Sequence, residues 1–335
     1  MNLMTAKTNI RILGTFIIFF AFFSCEEDED LLNEELPEYD FEWIREANNP
    51  VYRDPQPDIN YEVASDPHVF YDETEQLWMI YTGDPEENPG SAGIKLARGK
   101  SLIDWEQHAS LLFETGPSNL DVNKETAFYR RSSKGKHQIY YIGYPDGDSY
   151  ESQIYLAEAD HIEGPYVQMD APIVERGSIA GKNVEVITSP SIVQYDDTLY
   201  MYFLGWDSFK NVSEVWTIEA ISLDEGRSWT GFQEVDVPIG MEGQITQAPD
   251  GSFLAVATGV FEGKEAIYYA TADHPSGPWK KEELPILVQR EGDPFEVDEV
   301  IAPQILFEAG SQQQVLYYTG ADYLKGWWVL MAKSK

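Results

Sequence analysis

Cysteine and positive charge are the scarcest features of this sequence. Its 335 residues include one cysteine, and 23 lysines and arginines stand against 58 acidic residues, for a formal charge of −35. A single cysteine excludes an intramolecular disulfide framework and a cysteine-cluster zinc site, and the acidic excess repels nucleic-acid phosphates. The sequence also lacks a Gly-rich phosphate loop, a His-x-x-x-His pair and a Gly-x-Ser-x-Gly elbow. We therefore expect no nucleic-acid partner, no metal centre and no required cofactor.

The one cysteine stands at the end of an N-terminal apolar segment. Lys7 and Arg11 precede a run from Ile12 to Phe23 that is too short to span a bilayer and is typical of an export signal. The Phe-Phe-Ser-Cys sequence that ends at Cys25 resembles a bacterial lipoprotein signal, which implies cleavage after residue 24 and lipidation of Cys25. The alternatives are an ordinary export signal with an incidental cysteine, or a short membrane anchor.

An acidic segment follows the cysteine. Ten of the 17 residues from Glu26 to Glu42 are acidic, and such a run favours a solvated tether. We predict a signal peptide over residues 1–24, a tether over 25–45 and a catalytic domain over 46–335. This organisation places a monomer at the outer membrane, held by lipid and facing the cell surface or the periplasm.

Short β-rich runs recur through the rest of the chain. Five units follow one another at a spacing of roughly 60 residues, and each has an inner run, a Tyr-rich second run and a third run. Such regular units predict an all-β, five-bladed β-propeller. The last unit is one strand short, and the stretch from Asp40 to Tyr52 could supply the missing strand and close the ring. A pair of β-sandwiches is the alternative, but it does not explain the even spacing.

The inner strands of a propeller surround a central funnel, and carboxylates stand where these strands begin. Asp66, Glu125, Ser189 and Gln244 open four of the strands, while Glu242, Asp298 and Glu299 come just before theirs. Loops on the same face carry Tyr144, Trp206, Asp207 and Tyr323. Aromatic faces that stack on sugar rings and carboxylates that accept hydroxyl hydrogen bonds favour a carbohydrate ligand.

Two segments of the first unit carry a resemblance to a known family. Ser65-Asp66-Pro67-His68-Val69-Phe70-Tyr71-Asp72, followed by Leu77-Trp78-Met79-Ile80-Tyr81, resembles the first blade of glycoside hydrolase family 43 and its arabinanase, levansucrase and invertase relatives. The resemblance spans about residues 50–335. It implies a glycosidase in which an Asp opening the first blade is the general base, an Asp opening the second tunes the acid, and a Glu opening the third is the acid.

The matching positions assign the chemistry only in part. Asp66 corresponds to the base and Glu125 to the second carboxylate, but the third opening, Thr188-Ser189-Pro190, has no Glu. Glu185 aligns poorly with that opening, which leaves Glu125 and Glu242 as the candidate acids beside Asp66. Hydrolysis needs two carboxyl groups at the bond, one protonated and one ionised.

Six further residues are candidate substrate-binding residues. They are His68, Arg130, Trp206, Asp207, Glu299 and Gln304. Three of them also have a structural interpretation. Glu299 could simply belong to a generally acidic chain, and His68 could be a packed core residue or touch an axial structural cation or water. Arg130 could bind a substrate carboxylate or sulfate, or could simply be solvated.

The sequence therefore predicts a lipid-anchored glycosidase that acts on oligosaccharides from plant or algal polysaccharides. A lyase or dehydratase acting on uronate-containing oligosaccharides is the first alternative, since the third-blade Glu is missing and Lys124, Arg130 or Lys182 could neutralise a substrate carboxylate. A catalytically silent glycan-binding lipoprotein is the second.

Overall fold

The computed structural model describes residues 43–54, 61–84, 92–109, 121–145, 150–237, 241–311 and 313–335. Within these ranges the chain is all β, and no helix is long and apolar enough to cross a membrane. The predicted signal peptide, Cys25 and nearly all of the predicted tether lie outside the described residues.

Two short strands precede the first blade. They are β1 (Trp43–Arg45) and β2 (Glu62–Val63). Blade I comprises β3 (Ser65–Tyr71), β4 (Leu77–Gly83), β5 (Gly93–Gly99) and β6 (Trp105–Ala109). Blade II comprises β7 (Asn123–Arg131), β8 (His137–Tyr144), β9 (Gln153–Ala159) and β10 (Val167–Gln168).

A small hairpin separates the second and third blades. It consists of β11 (Gly177–Ile179) and β12 (Lys182–Val184). Blade III comprises β13 (Val186–Tyr195), β14 (Thr198–Trp206), β15 (Val215–Ser222) and β16 (Thr230–Glu234). Blade IV comprises β17 (Met241–Gln247), β18 (Phe253–Phe261), β19 (Lys264–Ala272), β20 (Lys280–Lys281) and β21 (Leu287–Val288). Blade V comprises β22 (Glu299–Phe307), β23 (Gln314–Asp322) and β24 (Gly326–Ser334).

The N-terminal strand closes the ring, as the sequence predicted. β1 pairs antiparallel with β24, with Trp43 opposite Ser334, and so provides the outer strand of blade V. β2 adds to the same strand in parallel. The propeller therefore includes residues before position 46, where the sequence placed its start, because the last blade needs a strand from the beginning of the chain.

Apolar clusters between successive blades hold the ring together. Each of the five clusters combines side chains from two neighbouring blades, and the described residues show one for every junction around the ring. Fully buried tyrosines of the second strands, such as Tyr81, Tyr140 and Tyr317, fill these junctions. The abundant aromatic residues of the second strands are therefore core, and a pair of sandwiches is excluded.

Every innermost strand contains the same backbone irregularity near its start. The pairing register of all five strands shifts there, which marks a β-bulge. One non-glycine residue in each bulge adopts a left-handed conformation, with φ of 51°, 46°, 58°, 56° and 50° at Asp66, Thr126, Ser189, Glu242 and Ala302. These five residues are therefore structurally equivalent, and we call them the bulge positions.

Candidate active site

Asp66 occupies the bulge position of blade I, where hydrogen-bond donors from several strands meet. Its carboxylate accepts hydrogen bonds from the hydroxyls of Ser65, at 3.1 Å, and Thr82, and from the backbone N–H of Thr126. Its own N–H donates to Thr319 Oγ1 at 2.9 Å, which ties the bulge to blade V. Burial raises the pKa of Asp66, while these donors act against that rise. These three donors favour the ionised form.

Glu242 occupies the bulge position of blade IV and faces Asp66. Burial raises the pKa of Glu242 well above its usual range, and the negative charges of Asp66, Glu299 and Glu125 raise it further. Its Oε2 atom is buried and accepts no hydrogen bond from a hydroxyl, amide or ring N–H of the described residues. The two carboxyl groups are themselves hydrogen-bonded, which requires a proton between them. Because Asp66 has three other donors, we assign that proton to Glu242.

Glu125 stands one residue before the bulge position of blade II. Tyr144 donates to its Oε1 and Tyr150 to its Oε2, both at 2.6 Å. Burial, and then the charge of Asp66, raise the pKa of Glu125 to about 7, although both tyrosines act to lower it. The ring of Tyr150 also stacks on Phe209 with centroids 5.3 Å apart, so a blade III loop supports the cluster.

A second group of carboxylates lies beside the first, between blades IV and V. Glu299 is 5% exposed at the start of β22 and accepts a hydrogen bond from the hydroxyl of Tyr323. Burial raises the pKa of Glu299 to about 8, and the charges of Glu265 and Asp66 add to this effect. Glu265 accepts the backbone N–H of Val300, and burial raises its pKa to about 7. The funnel thus holds more protonatable carboxyl groups than the two that hydrolysis needs.

Aromatic side chains line the funnel on the blade V side. The rings of Tyr323 and Trp327 lie 5.7 Å apart, and Trp327 Nε1 donates to the hydroxyl of Tyr61 at 3.2 Å. All three rings are partly exposed. Together with Phe209 on the opposite side, they offer faces on which a sugar ring could stack.

His68 and Gln304 lie deeper along the axis and bond to other protein groups. His68 Nδ1 is 3.1 Å from Gln244 Oε1, and a backbone hydrogen bond to Tyr129 engages the ring as well. Burial lowers the pKa of His68 to about 4, so the ring is neutral near pH 7. The Gln304 amide pairs with both backbone groups of Val69, at 2.5 and 2.6 Å, and links blade V to blade I.

An axial cation therefore receives no direct support from these side chains. Among the described residues, no group of three or more His, Cys, Asp or Glu is arranged to hold a metal ion. The structural cation and the substrate contacts of His68 and Gln304 stay predictions from the sequence.

Trp206 ends the second strand of blade III on the funnel face, and Asp207 follows it in the loop. Trp206 is 2% exposed and belongs to the core between blades II and III. Asp207 accepts the backbone N–H groups of Ser213 and Glu214, at 3.0 and 3.1 Å, and so shapes its own loop. Their placement fits a supporting role for the loop that carries Phe209.

Arg130 lies at the other end of its strand, on the face opposite the funnel. It bonds to Gln138 at 2.6 Å and forms an ion pair with Glu225 at 3.5 Å. Lys124 is buried with its ammonium group 2.7 Å from the carbonyl of Asp121, and Lys182 pairs with Glu234 at 2.9 Å. Each of the three cations considered for a substrate carboxylate thus already has a protein partner.

A family model named for the glycosyl hydrolases of family 43 matches residues 49–328. The match runs from just after β1 into the last strand of blade V. The chain belongs to glycosyl hydrolase family 43. It is accordingly a glycosidase, a hydrolase of glycosidic bonds with a carbohydrate substrate, as the sequence predicted.

Solved structures of similar fold agree with this membership. A thermostable family-43 glycoside hydrolase is 17% identical with a TM-score of 0.61, over 80% of this chain and 88% of that one. An endo-1,5-alpha-L-arabinanase from Thermotoga petrophila RKU-1 is 15% identical with a TM-score of 0.54, over 83% and 72%. An endo-1,4-beta-xylanase from Bacteroides thetaiotaomicron VPI-5482 is 16% identical with a TM-score of 0.58, over 81% and 90%. At such identities the likeness concerns the fold, and a search of curated protein sequences finds no match.

The bulge positions explain why the family-43 site was only partly readable from the sequence. Glu242 lies within β17, at the bulge position equivalent to that of Asp66, whereas the sequence placed it before its strand. Ser189, at the equivalent position of blade III, is 3.3 Å from Thr188 Oγ1, and Glu185 is exposed. Sequence reasoning missed Thr82, Tyr150 and Glu265. They lie on other strands or in a loop, and only the folded ring brings them to the funnel.

Proposed function

We propose that this family-43 enzyme hydrolyses glycosidic bonds with Asp66 as the general base and Glu242 as the general acid. The supporting observation is the difference in environment between the carboxyl groups at two equivalent bulge positions. Three donors favour an ionised Asp66, whereas burial and surrounding negative charge favour a protonated Glu242. Such opposed environments are how two carboxyl groups divide acid and base roles.

The chemistry follows from this division. A water molecule beside Asp66 gives up a proton to its carboxylate as the water oxygen attacks the anomeric carbon. The glycosidic C–O bond breaks, and the leaving oxygen takes the proton of Glu242. In the free enzyme this proton lies between the two carboxyl groups. Direct attack by water needs the acid and the base about 6.5–9.5 Å apart on opposite sides of the bond, so the mechanism requires the bound sugar to separate Glu242 from Asp66. Glu125, held by two tyrosines, is the third carboxyl group and raises the pKa of the acid.

We propose neutral oligosaccharides from plant or algal polysaccharides as substrates, with arabinosides and xylosides to be tested first. Related structures carry the names of an arabinanase and a xylanase. Uronate elimination needs a cation to neutralise the substrate carboxylate. The candidate cations already bond to protein groups, which argues against it; they are Lys124, Arg130 and Lys182.

The location of the enzyme is a separate proposal that depends on the N-terminal sequence. The apolar segment that ends at Cys25 and the acidic residues after it favour a lipid-anchored protein of the outer membrane. Mass spectrometry of the mature N-terminus tests it: a diacylated or triacylated Cys25 is expected. An unmodified N-terminus, or one cleaved elsewhere, contradicts it.

Mass spectrometry of products from an oligosaccharide panel tests the reaction. Hydrolysis adds the mass of one water on cleavage, and the Asp66→Asn variant should leave the panel intact. Products that lack this added water would indicate elimination. An unchanged panel that still binds the protein would indicate a glycan-binding role.

A further inference from the structure

The hydroxyl of Thr126 has no assigned role in the site. Thr126 occupies the bulge position of blade II with φ of 46°, a left-handed conformation that is rare for a β-branched residue. Its backbone N–H contacts the Asp66 carboxylate and, at 3.2 Å, Thr82 Oγ1. The bulge thus places the backbone N–H of Thr126 against the general base. Left-handed conformations held by their surroundings are frequent at functional sites.

The side chain of Thr126 is buried without a partner. The residue is 7% exposed, and Oγ1 makes no hydrogen bond with the described residues. A buried hydroxyl normally has a hydrogen-bond partner, either from the protein or from ordered water. The unmatched oxygen of Thr126 therefore points to a ligand that can donate to it.

A small cavity that Thr126 lines has the right size for such a ligand. The polar residues of its wall are Asp66, Thr126, Ser189, Glu242 and Gln244. The space open to the centre of a water molecule is about 10 Å³, which is about the room that one water needs. The four polar residues beside Thr126 can supply the two to four partners that an ordered water requires.

We propose that Thr126 holds the attacking water of the hydrolytic reaction. This inference depends on the proposed function, in which Asp66 is the base. One O–H of the water donates to Asp66 and the other to Thr126 Oγ1, which leaves an oxygen lone pair free for the anomeric carbon. During attack the first proton passes to Asp66, the new C–O bond forms, and the Glu242 proton passes to the leaving oxygen. Thr126 keeps its own proton throughout and fixes the direction of attack.

Isosteric substitution separates the hydroxyl from the shape of the side chain. Thr126→Val keeps the β-branch and removes the hydroxyl, and we expect kcat to fall by about 10²-fold with KM within about twofold of the wild type. Thr126→Ser keeps the hydroxyl and should stay within about threefold of the wild-type kcat. Thr246→Val is the control, because Thr246 also stands on an innermost strand, but its hydroxyl donates to the carbonyl of Ile305 near the far end of β17 and it does not line this cavity. Its kcat should not change.

Two kinetic outcomes overturn the proposal. One is a Thr126→Val variant with wild-type kcat, and the other is an equal loss in Thr126→Val and Thr126→Ser. The comparison uses the substrate that the wild-type enzyme hydrolyses best. A wild-type enzyme that hydrolyses nothing in the panel instead overturns the proposed function.

A high-resolution crystal structure tests the water site without reference to activity. The wild type should show an ordered water within hydrogen-bond distance of both Asp66 and Thr126 Oγ1, and Thr126→Val should lose or displace it. A wild-type structure with no water at this position contradicts the proposal. The same data show whether Thr126→Val keeps the native fold.

Discussion

The two faces of the propeller both carry many acidic side chains, but they surround them with different partners. On the face opposite the funnel, Ser133 and Arg130 bind Glu225 and hold the pKa of its carboxyl below the usual range. Lys136 does the same for Asp160. In the funnel, burial and mutual repulsion raise the pKa values of Glu125 and Glu299 to about 7 and 8. The same residue type thus stabilises turns on one face and holds exchangeable protons on the other.

This contrast shows how one very acidic chain makes a reactive site. Turn carboxylates are exposed and meet hydroxyls, N–H groups or cations, so they stay ionised. Funnel carboxyl groups come from different blades and lie close together where the blades meet. Lys124, Arg130 and Lys182 bond to other protein groups and do not pair with them. Burial and proximity therefore protonate some of these carboxyl groups.

The largest expected effect is loss of the acid or the base. Asp66→Asn and Glu242→Gln should each lower kcat by about 10³-fold on an unactivated oligosaccharide. A substrate with a good leaving group needs little acid assistance, so it should restore much of the activity of Glu242→Gln and none of that of Asp66→Asn. Asp250→Asn, in a turn on the opposite face, is the control for loss of a carboxylate. Equal rescue of both variants would contradict the assignment of Asp66 as the base and Glu242 as the acid.

Tyr150→Phe should give a smaller effect, about tenfold in kcat, with a shift in the pH profile. Its hydroxyl lowers the pKa of Glu125, so its removal keeps Glu125 protonated to a higher pH. A neutral Glu125 no longer raises the pKa of Glu242. The alkaline limb of the pH–rate profile should therefore move to lower pH. Tyr166→Phe, which bonds to a backbone carbonyl on the opposite face, should leave the profile unchanged, and an upward shift in Tyr150→Phe contradicts the coupling.

The pH dependence of stability should differ between the two faces. A carboxyl group whose pKa is raised by folding stabilises the fold below its unfolded pKa, and this contribution disappears as the pH rises through the folded value. For Glu125 and Glu299 the loss falls between about pH 4.5 and 8. Turn carboxylates such as Glu225 have lowered pKa values, so their contribution disappears only in acid.

Thermal unfolding measures this difference. We expect a Tm about 5 °C lower at pH 8.5 than at pH 5.5, and Glu299→Gln should reduce that difference. Glu225→Gln should not change it. A higher Tm at pH 8.5 would show that the funnel carboxyl groups are ionised in the native state.

Arg130→Ala should have the smallest effect on activity. The arginine lies on the opposite face in a partly buried ion pair with Glu225, so kcat/KM should stay within about twofold of the wild type. Stability should fall by about 1 kcal/mol. Unfolding curves and kinetics on the same preparation check both. A rise in KM with unchanged kcat would instead indicate that Arg130 binds substrate.

Most of the architecture was predictable from the sequence. Blades repeat because each unit must bury a strand face against the next, so the apolar runs recur at similar spacing from Asp66 to Ala302. The missing strand of the last unit predicted closure by the N-terminal stretch, and β1 confirms it. Asp66 was recognisable because Asp-Pro-His and the following Trp78 strand form a local pattern.

The partners of Asp66 were not predictable in the same way. A β-bulge breaks the alternation of side chains, so counting along the strand aligned Glu125 with Asp66, whereas Thr126 is the true equivalent. Glu265 lies on the third strand of blade IV, and no sequence pattern indicated that this strand would bring a carboxyl group to the funnel.

The sequence by itself therefore determined the all-β repeat, the number of blades and the family, and it predicted Asp66 as one carboxylate of the site. Only the tertiary structure decided which second carboxyl group faces Asp66, how burial and neighbouring charge shift the pKa of each, and where Arg130 lies. The physical reason is that strand propensity and repeat spacing are local properties of the chain. Protonation depends on burial and on charges that ring closure brings together from blades far apart in sequence.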